Sequence, residues 1–150
     1  MEWTRDEYRI TTDPARVDVD ALHAFLTRSY WATGIPRERV ARSIEHSLNF
    51  SLWHEPAGGS AQVGFARVIT DFATFAYLGD VYVLEEHRGH GLSKWLMRVI
   101  VDHPELQGFR RWALLTRDAH DLYRQVGFTP LASPERWMER WAPNAYAAKK

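Results

Sequence analysis

Two stretches of the sequence combine residue types and spacings that could do chemistry. The first is Leu84-Glu85-Glu86-His87-Arg88-Gly89-His90-Gly91-Leu92-Ser93-Lys94-Trp95, where an apolar run leads into two glycines and an amphipathic pattern follows. Amides at a helix start have no partner inside the helix and carry the positive end of its dipole, so a phosphate can dock on them. Gly89 and Gly91 let the backbone approach such a ligand closely and adopt φ values that a Cβ disfavours. Two glycines alone more often mark an ordinary loop between a strand and a helix. The second is Asp80, inside Tyr77-Leu78-Gly79-Asp80-Val81-Tyr82-Val83, where a carboxylate among apolar neighbours needs a partner or a chemical task. His87 and His90 stand near Glu85 and Glu86, but their spacing lacks a helix face, and no metal is expected there. His46 and His54 read as surface or partly packed side chains.

The elements that must position these residues follow from periodicity. Tyr8–Thr12 is β-rich and closes at Asp13-Pro14, predicting a short first strand. Asp18 can cap a helix over Val19–Tyr30, whose Leu22, Phe25, Leu26 and Tyr30 recur at helical spacing. A second helix starts at Pro36, carries Val40, Ile44 and Leu48 at four-residue steps, and ends near Ser47. Asn49–His54 and Gln62–Thr70 alternate around Glu55–Ser60 and predict a hairpin. Thr74–Leu84 is apolar on both faces and is expected to lie centrally in a sheet, with Asp71 at the turn before it. Leu92, Trp95, Leu96, Val99 and Ile100 mark one stripe of a helix that halts before Pro104. Arg111–Thr116 reads as a strand, with Asp118 placed to cap a short helix through Leu122, Tyr123 and Val126 that ends at Gly127. A further strand is expected to start at Phe128–Leu131, and Glu135–Trp141 alternates as a closing strand before a frayed tail from Pro143 to Lys150.

Composition narrows the possibilities. The 150 residues suit one domain over 1–150, and 45% hydrophobic content supplies a core. Lys plus Arg and Asp plus Glu both number 19, so the chain lacks the basic footprint of a nucleic-acid binder. The absence of cysteine removes disulfides, thiolate nucleophiles and cysteine metal sites. The first residues show no signal-peptide pattern and no apolar run is long enough to span a bilayer, so a cytoplasmic protein without a membrane partner is expected. The glycines fit neither G-x-G-x-x-G nor a P-loop.

The element order, Val81–Gly91, and Ala119-His120-Asp121-Leu122-Tyr123-Arg124-Gln125-Val126-Gly127-Phe128 together resemble the GNAT superfamily of acetyl-CoA-dependent N-acetyltransferases. The resemblance spans nearly the whole chain. Of the signature R/Q-x-x-G-x-G/A, Arg88 and Gly91 are present while Ser93 replaces the last small residue; the second signature, A-x-x-L-Y-x-x-x-G-F, is complete. The position upstream of it that usually holds asparagine is Thr116. The resemblance implies an α/β (α+β) fold with a mixed, mostly antiparallel sheet flanked by helices and splayed parallel strands.

It also implies that acetyl-CoA lays its pyrophosphate over Arg88, Gly89, His90, Gly91, Leu92 and Ser93, with a further contact at Thr116. The pantetheine would add like a strand beside Val81, Tyr82 and Val83, whose unpaired backbone groups it can satisfy. Tyr123 sits where relatives carry the tyrosine that protonates the leaving thiolate. Many relatives carry a glutamate on the central strand, whereas this chain has Tyr77 there, which leaves Asp80 between a structural hydrogen-bonding role and deprotonation of the amine, directly or through water. Tyr30, Trp31 and Tyr77 are the expected acceptor contacts, and such a neutral aromatic wall suits a small amine or amino-acid-like molecule. The implied activity is direct N-acetylation in a ternary complex. The alternative is a catalytically silent acyl-CoA-binding regulatory module, motivated by the missing carboxylate, Ser93 and Thr116. A homodimer could form by pairing of the closing strand bearing Trp137 and Trp141.

Overall fold

The computed structural model describes residues 1–147. Six strands form one sheet in the order of the chain: β1 Glu2–Arg5, β2 Tyr8–Thr11, β3 Leu48–His54, β4 Ala61–Thr70, β5 Phe75–Val83 and β6 Arg111–Leu114. Every neighbouring pair is antiparallel except β5 with β6, which run parallel. Helices α1 Val19–Leu26 and α2 Arg37–Glu45 join β2 to β3, α3 Leu92–Val101 joins β5 to β6, and α4 His120–Arg124 follows β6. This is the mixed, mostly antiparallel sheet with flanking helices that the resemblance implies.

Alternation along the strands divides the core in two. Phe65 and its ladder partner Tyr82 pack with Leu22, Leu26, Val40 and Ile44 under α1 and α2. Phe50, Leu52, Ala66, Leu78 and Val83 pack instead with Leu92, Leu96, Met97 and Ile100 of α3. Asp18 caps α1 by accepting the Ala21 N–H at 2.9 Å. The Asp71 carboxylate closes the β4–β5 turn, accepting from the amides of Ala73 and Thr74 at 3.0 and 2.8 Å and from the Thr74 hydroxyl at 2.6 Å, which holds its carboxyl far below the usual carboxylate range.

Several elements depart from the sequence expectation. The first strand is one arm of a hairpin: Glu2–Arg5 pairs with Tyr8–Thr11 around a turn in which Asp6 takes φ 53°. Strand β5 is the penultimate strand rather than a central one, since only β6 lies outside it. Helix α1 ends at Leu26, four residues before Tyr30, because Arg28 and Ser29 donate to Phe25 and Leu26 in tighter turns and Gly34, at φ 76°, turns the chain back onto Thr27. Tyr30 and Trp31 therefore sit in a loop. The α4 turn is held by Thr116, whose hydroxyl accepts the Ala119 N–H at 3.0 Å, and not by Asp118.

Neither expected C-terminal strand forms among the described residues: Phe128–Leu131 is irregular, and Pro134–Arg136 is a single 3-10 turn followed by chain without a ladder. Pro130 and Pro134 lack amide donors, and period-two alternation with no strand to pair against does not make a sheet. The Arg111 guanidinium lies 5.2 Å from the centre of the Trp137 ring instead. The strand on which the expected dimer pairing rested is thus absent. The tail is not frayed where described, since Tyr146 packs on the cluster beneath α1 and α2; residues 148–150 lie outside the described residues. No helix among the described residues is long and apolar enough to cross a membrane.

Candidate active site

Strands β5 and β6 pair from Phe75 with Arg111 to Leu78 with Leu114, where β6 stops while β5 runs on to Val83. The backbone of Gly79–Val83 consequently has no strand on its β6 side. Opposite β4, Phe65 pairs with Tyr82 and Arg67 with Gly79, so Asp80 and Val81 together face the single residue Ala66. That is a β-bulge, and Asp80 occupies it at φ 55°, a conformation rare for any residue but glycine, asparagine or aspartate. The bulge turns the carboxylate of Asp80 out of the ladder.

At the end of β5 the chain makes one 3-10 turn over Glu85–His87, passes through Arg88 and enters α3. Gly89 and Gly91 take φ 85° and 69°, and Gly91, the residue that caps α3, offers no side chain to its first amides. A cradle of donors is therefore left open in front of Leu92 and Ser93, with no acidic residue in the first helical turn. Val83, His87, Arg88, Gly89, Gly91, Leu92, Ser93 and Lys94 line a cleft there, completed by Leu122 and Gln125 of α4 and the turn after it. The residues fit a phosphate-bearing cofactor: the cap is bare, both glycines are left-handed, and nothing stands within 4 Å of a Cβ added to Gly89. The Arg88 Nε donates to the Val83 carbonyl at 3.3 Å, tying the loop to the strand end.

On the other side of the gap, side chains from distant segments converge on Asp80. Its Oδ2 accepts from Arg67 Nε at 2.5 Å and its Oδ1 from the Trp31 indole N–H at 3.0 Å. Both members of the ion pair are largely shielded, with side-chain exposures of 19% for Arg67 and 11% for Asp80. Trp31 packs edge-on against Tyr30 at 5.0 Å, and the Tyr30 hydroxyl accepts the Arg117 amide N–H at 3.1 Å while the Arg117 guanidinium covers the Tyr30 ring at 3.9 Å. The loop after α1 is in this way fastened across to the loop after β6. Tyr77, half-buried, has its phenol pushed up by burial and then by the Asp80 carboxylate, with Arg67 opposing.

Tyr123 lies on α4 with 8% of its surface exposed, and burial, followed by the fields of Tyr30, Asp118 and Tyr77, pushes its phenol up to about 12. It therefore stays a donor at neutral pH. Among the described residues no protein atom hydrogen-bonds its hydroxyl, and two of the groups that act on it, Tyr30 and Tyr77, belong to the cluster around Asp80. Tyr82, by contrast, points away, its ring stacked on Phe25 at 3.7 Å and its phenol pushed up to about 12 by burial, so only its backbone faces the gap. Thr116 spends its acceptor on Ala119 and keeps its hydroxyl proton to donate. The structure thus gathers Tyr30, Trp31, Tyr77, Asp80 and Tyr123 around one end of the gap and Val81–Val83 with Arg88–Ser93 along the other. Sequence reasoning missed Arg67, Arg117 and Arg5; alternation put Arg67 on a strand, but nothing in the pattern marked its partner.

The comparisons with known proteins agree with this architecture. The acetyltransferase (GNAT) domain model matches residues 50–130. A protein of Gibberella zeae named as an acetyltransferase is 36% identical over 142 residues, spanning 82% of this chain and 79% of its own length. A crystal structure from Xanthomonas campestris pv. campestris, of a protein assigned to the GNAT family as an acetyltransferase, superposes with a TM-score of 0.88 at 48% identity, covering 94% of this chain and 97% of that one. Thialysine N-epsilon-acetyltransferase of Sus scrofa is 29% identical over 87 residues, which span 53% of this chain and 51% of the pig protein. The chain belongs to the GNAT family of acetyltransferases and is an acyltransferase.

Proposed function

We propose that the protein transfers the acetyl group of acetyl-CoA directly to the primary amine of a small, amino-acid-like acceptor within a ternary complex. The observation that carries this reading is the convergence at one gap of a bare phosphate cradle and a neutral Tyr123 hydroxyl with no protein partner among the described residues. When bound, acetyl-CoA supplies the activated thioester. The amides from Arg88 to Ser93 would hold its pyrophosphate, the open backbone edge of Val81, Tyr82 and Val83 its pantetheine amides, and the Thr116 hydroxyl would add one donor. Tyr123 donates its hydroxyl proton as a hydrogen bond to the sulfur as charge develops there; a phenol near 12 stabilises the leaving group without being consumed as a strong acid.

Asp80 presents a carboxylate already fixed by Arg67 and Trp31, so its remaining lone pairs accept the proton of the amine through water. Tyr30, Trp31 and Tyr77 wall the acceptor. An acceptor that carries an amine on an amino-acid skeleton is supported by this aromatic wall, by Arg117 at its rim, and by the name of the pig relative. With no cysteine in the chain, transfer does not pass through an acyl-thioester on the enzyme. Incubating the protein with acetyl-CoA and a panel of lysine-like, diamine and aminosugar acceptors, and reading free thiol, should show turnover confined to the first two classes; tight cofactor binding with no thiol release from any amine would sink the proposal.

A further inference from the structure

The N-terminal hairpin, at the edge of the sheet away from β6, carries two residues that reach the loop before α3. Arg5 and Tyr8 are ladder partners at the end of β1 and β2. Arg5 Nη2 donates to the carbonyl of His90 at 2.7 Å, and the Tyr8 hydroxyl bonds His87 Nδ1 at 3.0 Å. The Arg5 guanidinium also lies 4.9 Å from the centre of the Trp95 ring in the first turn of α3, and its Nη1 and Nη2 come within 4.0 Å of the place a Cβ would take on Gly91. One cation therefore touches the loop, the left-handed cap and the helix at once.

Among the described residues no carboxylate lies within 4.0 Å of Arg5, and the same holds for Arg88 and Lys94 around the same helix start. The positive end of α3 adds to them, and its first turn carries no acidic residue. Positive charge gathered in this way at a helix start favours an anion there.

On the reading that the loop binds the phosphates of acetyl-CoA, we propose that Arg5 is a positioning residue for the cofactor: it locks the loop from Gly89 to Gly91 in its anion-receiving shape and adds its charge to the phosphates, with Tyr8 steadying the same loop through His87. The N-terminal hairpin, of which the sequence marks only the Tyr8–Thr12 arm, would then be part of the cofactor site. A planar guanidinium can serve the carbonyl, the ring face and the anion together, which an ammonium cannot.

Calorimetric titration of coenzyme A into the wild type, Arg5→Gln and Arg5→Lys tests this, with the melting temperature of each ligand-free protein as a control. Arg5→Gln is expected to weaken binding about tenfold or more, with Arg5→Lys falling between it and the wild type. Acetyl transfer from S-acetylpantetheine, which has no phosphate, is expected to be equal in wild type and Arg5→Gln, whereas the KM for acetyl-CoA rises with kcat nearly unchanged. The proposal is overturned if Arg5→Gln binds coenzyme A as the wild type does, or if it loses both donors equally, which is the mark of a merely structural residue. Should Arg5→Gln not fold, Arg5→Lys binding as tightly as the wild type overturns the fork geometry. A wild type that binds no coenzyme A at all would instead remove the reading on which the proposal rests.

Discussion

The two ends of the gap between β5 and β6 are built from different material. The end facing α3 is made of backbone: left-handed glycines, unpaired amides and the open edge of Val81–Val83. The end facing α1 is made of side chains, brought from Trp31, Arg67, Tyr77, Asp80 and Arg117 across most of the chain. A backbone site accepts whatever sequence leaves its geometry intact, so it suits a cofactor common to many acceptors. A side-chain site changes with each substitution and suits the part of the reaction that differs among relatives.

This contrast can be tested by breaking each end. Tyr123→Phe leaves both ends standing and removes the donor between them, so the turnover rate should fall on the order of a hundredfold while coenzyme A affinity stays within about twofold, as stopped-flow and calorimetry would read. Asp80→Asn strands the shielded Arg67 guanidinium and should lower stability by about 3 kcal/mol in urea melts, with acceptor KM rising and cofactor affinity held; Arg67→Met added to it should recover part of the loss. If cofactor affinity falls as much as acceptor affinity, the two ends are one unit and the contrast fails.

Gly91→Ala tests the backbone end. A Cβ there meets only the Arg5 guanidinium nitrogens at 4.0 Å, so no clash arises, and the cost is the φ of 69° alone, about 1 kcal/mol in stability with a severalfold loss of cofactor affinity. Ser93→Gly should change coenzyme A binding less than twofold, since the amide at that position remains; a large loss would show that the hydroxyl belongs to the site.

Much of this arrangement was legible in the sequence because backbone geometry leaves a local trace. The glycine loop, the cap at Asp18, the turn at Asp71 and the short helix carrying Tyr123 each declare themselves within a dozen residues. The convergent end does not, because a separation of 49 residues between Trp31 and Asp80 leaves no periodic mark. The sequence marks Asp80 as a charge in need of a partner, yet the partner, Arg67, is defined by a bulge that the sequence does not announce. Glu135–Trp141 alternates without forming a strand, because alternation reports a chain that could pair and says nothing of whether a partner edge is in reach.

The smallest effect concerns pH and falls on the frame. His103 is 2% exposed, packed against Trp3 and Phe50, and its Nδ1 accepts the Glu105 N–H at 3.2 Å, so burial holds its pKa below the ordinary histidine value. The unfolded chain then binds a proton more readily than the native one, so this contribution is complete above about pH 6.5 and is lost as the pH falls through the window beneath it. His87 is shifted the same way by burial, then by His54. Melting temperatures measured from pH 8 to 5 should fall on the acid side, with His103→Gln flattening the curve.

Strand β6 is joined to the sheet along one side only, over four residues, and its outer edge carries no ladder among the described residues. An edge so short is the natural place for the native state to breathe, and α4 with Tyr123 hangs from it. Amide protons of Arg111–Leu114 are therefore expected to exchange with solvent sooner than those of β3 and β4, through local opening. A cofactor wedged between the two diverging strands would close that opening. Binding would then steady β6 and the loop that leads from it to α4 in a single event, while Tyr123 itself is already held in the core.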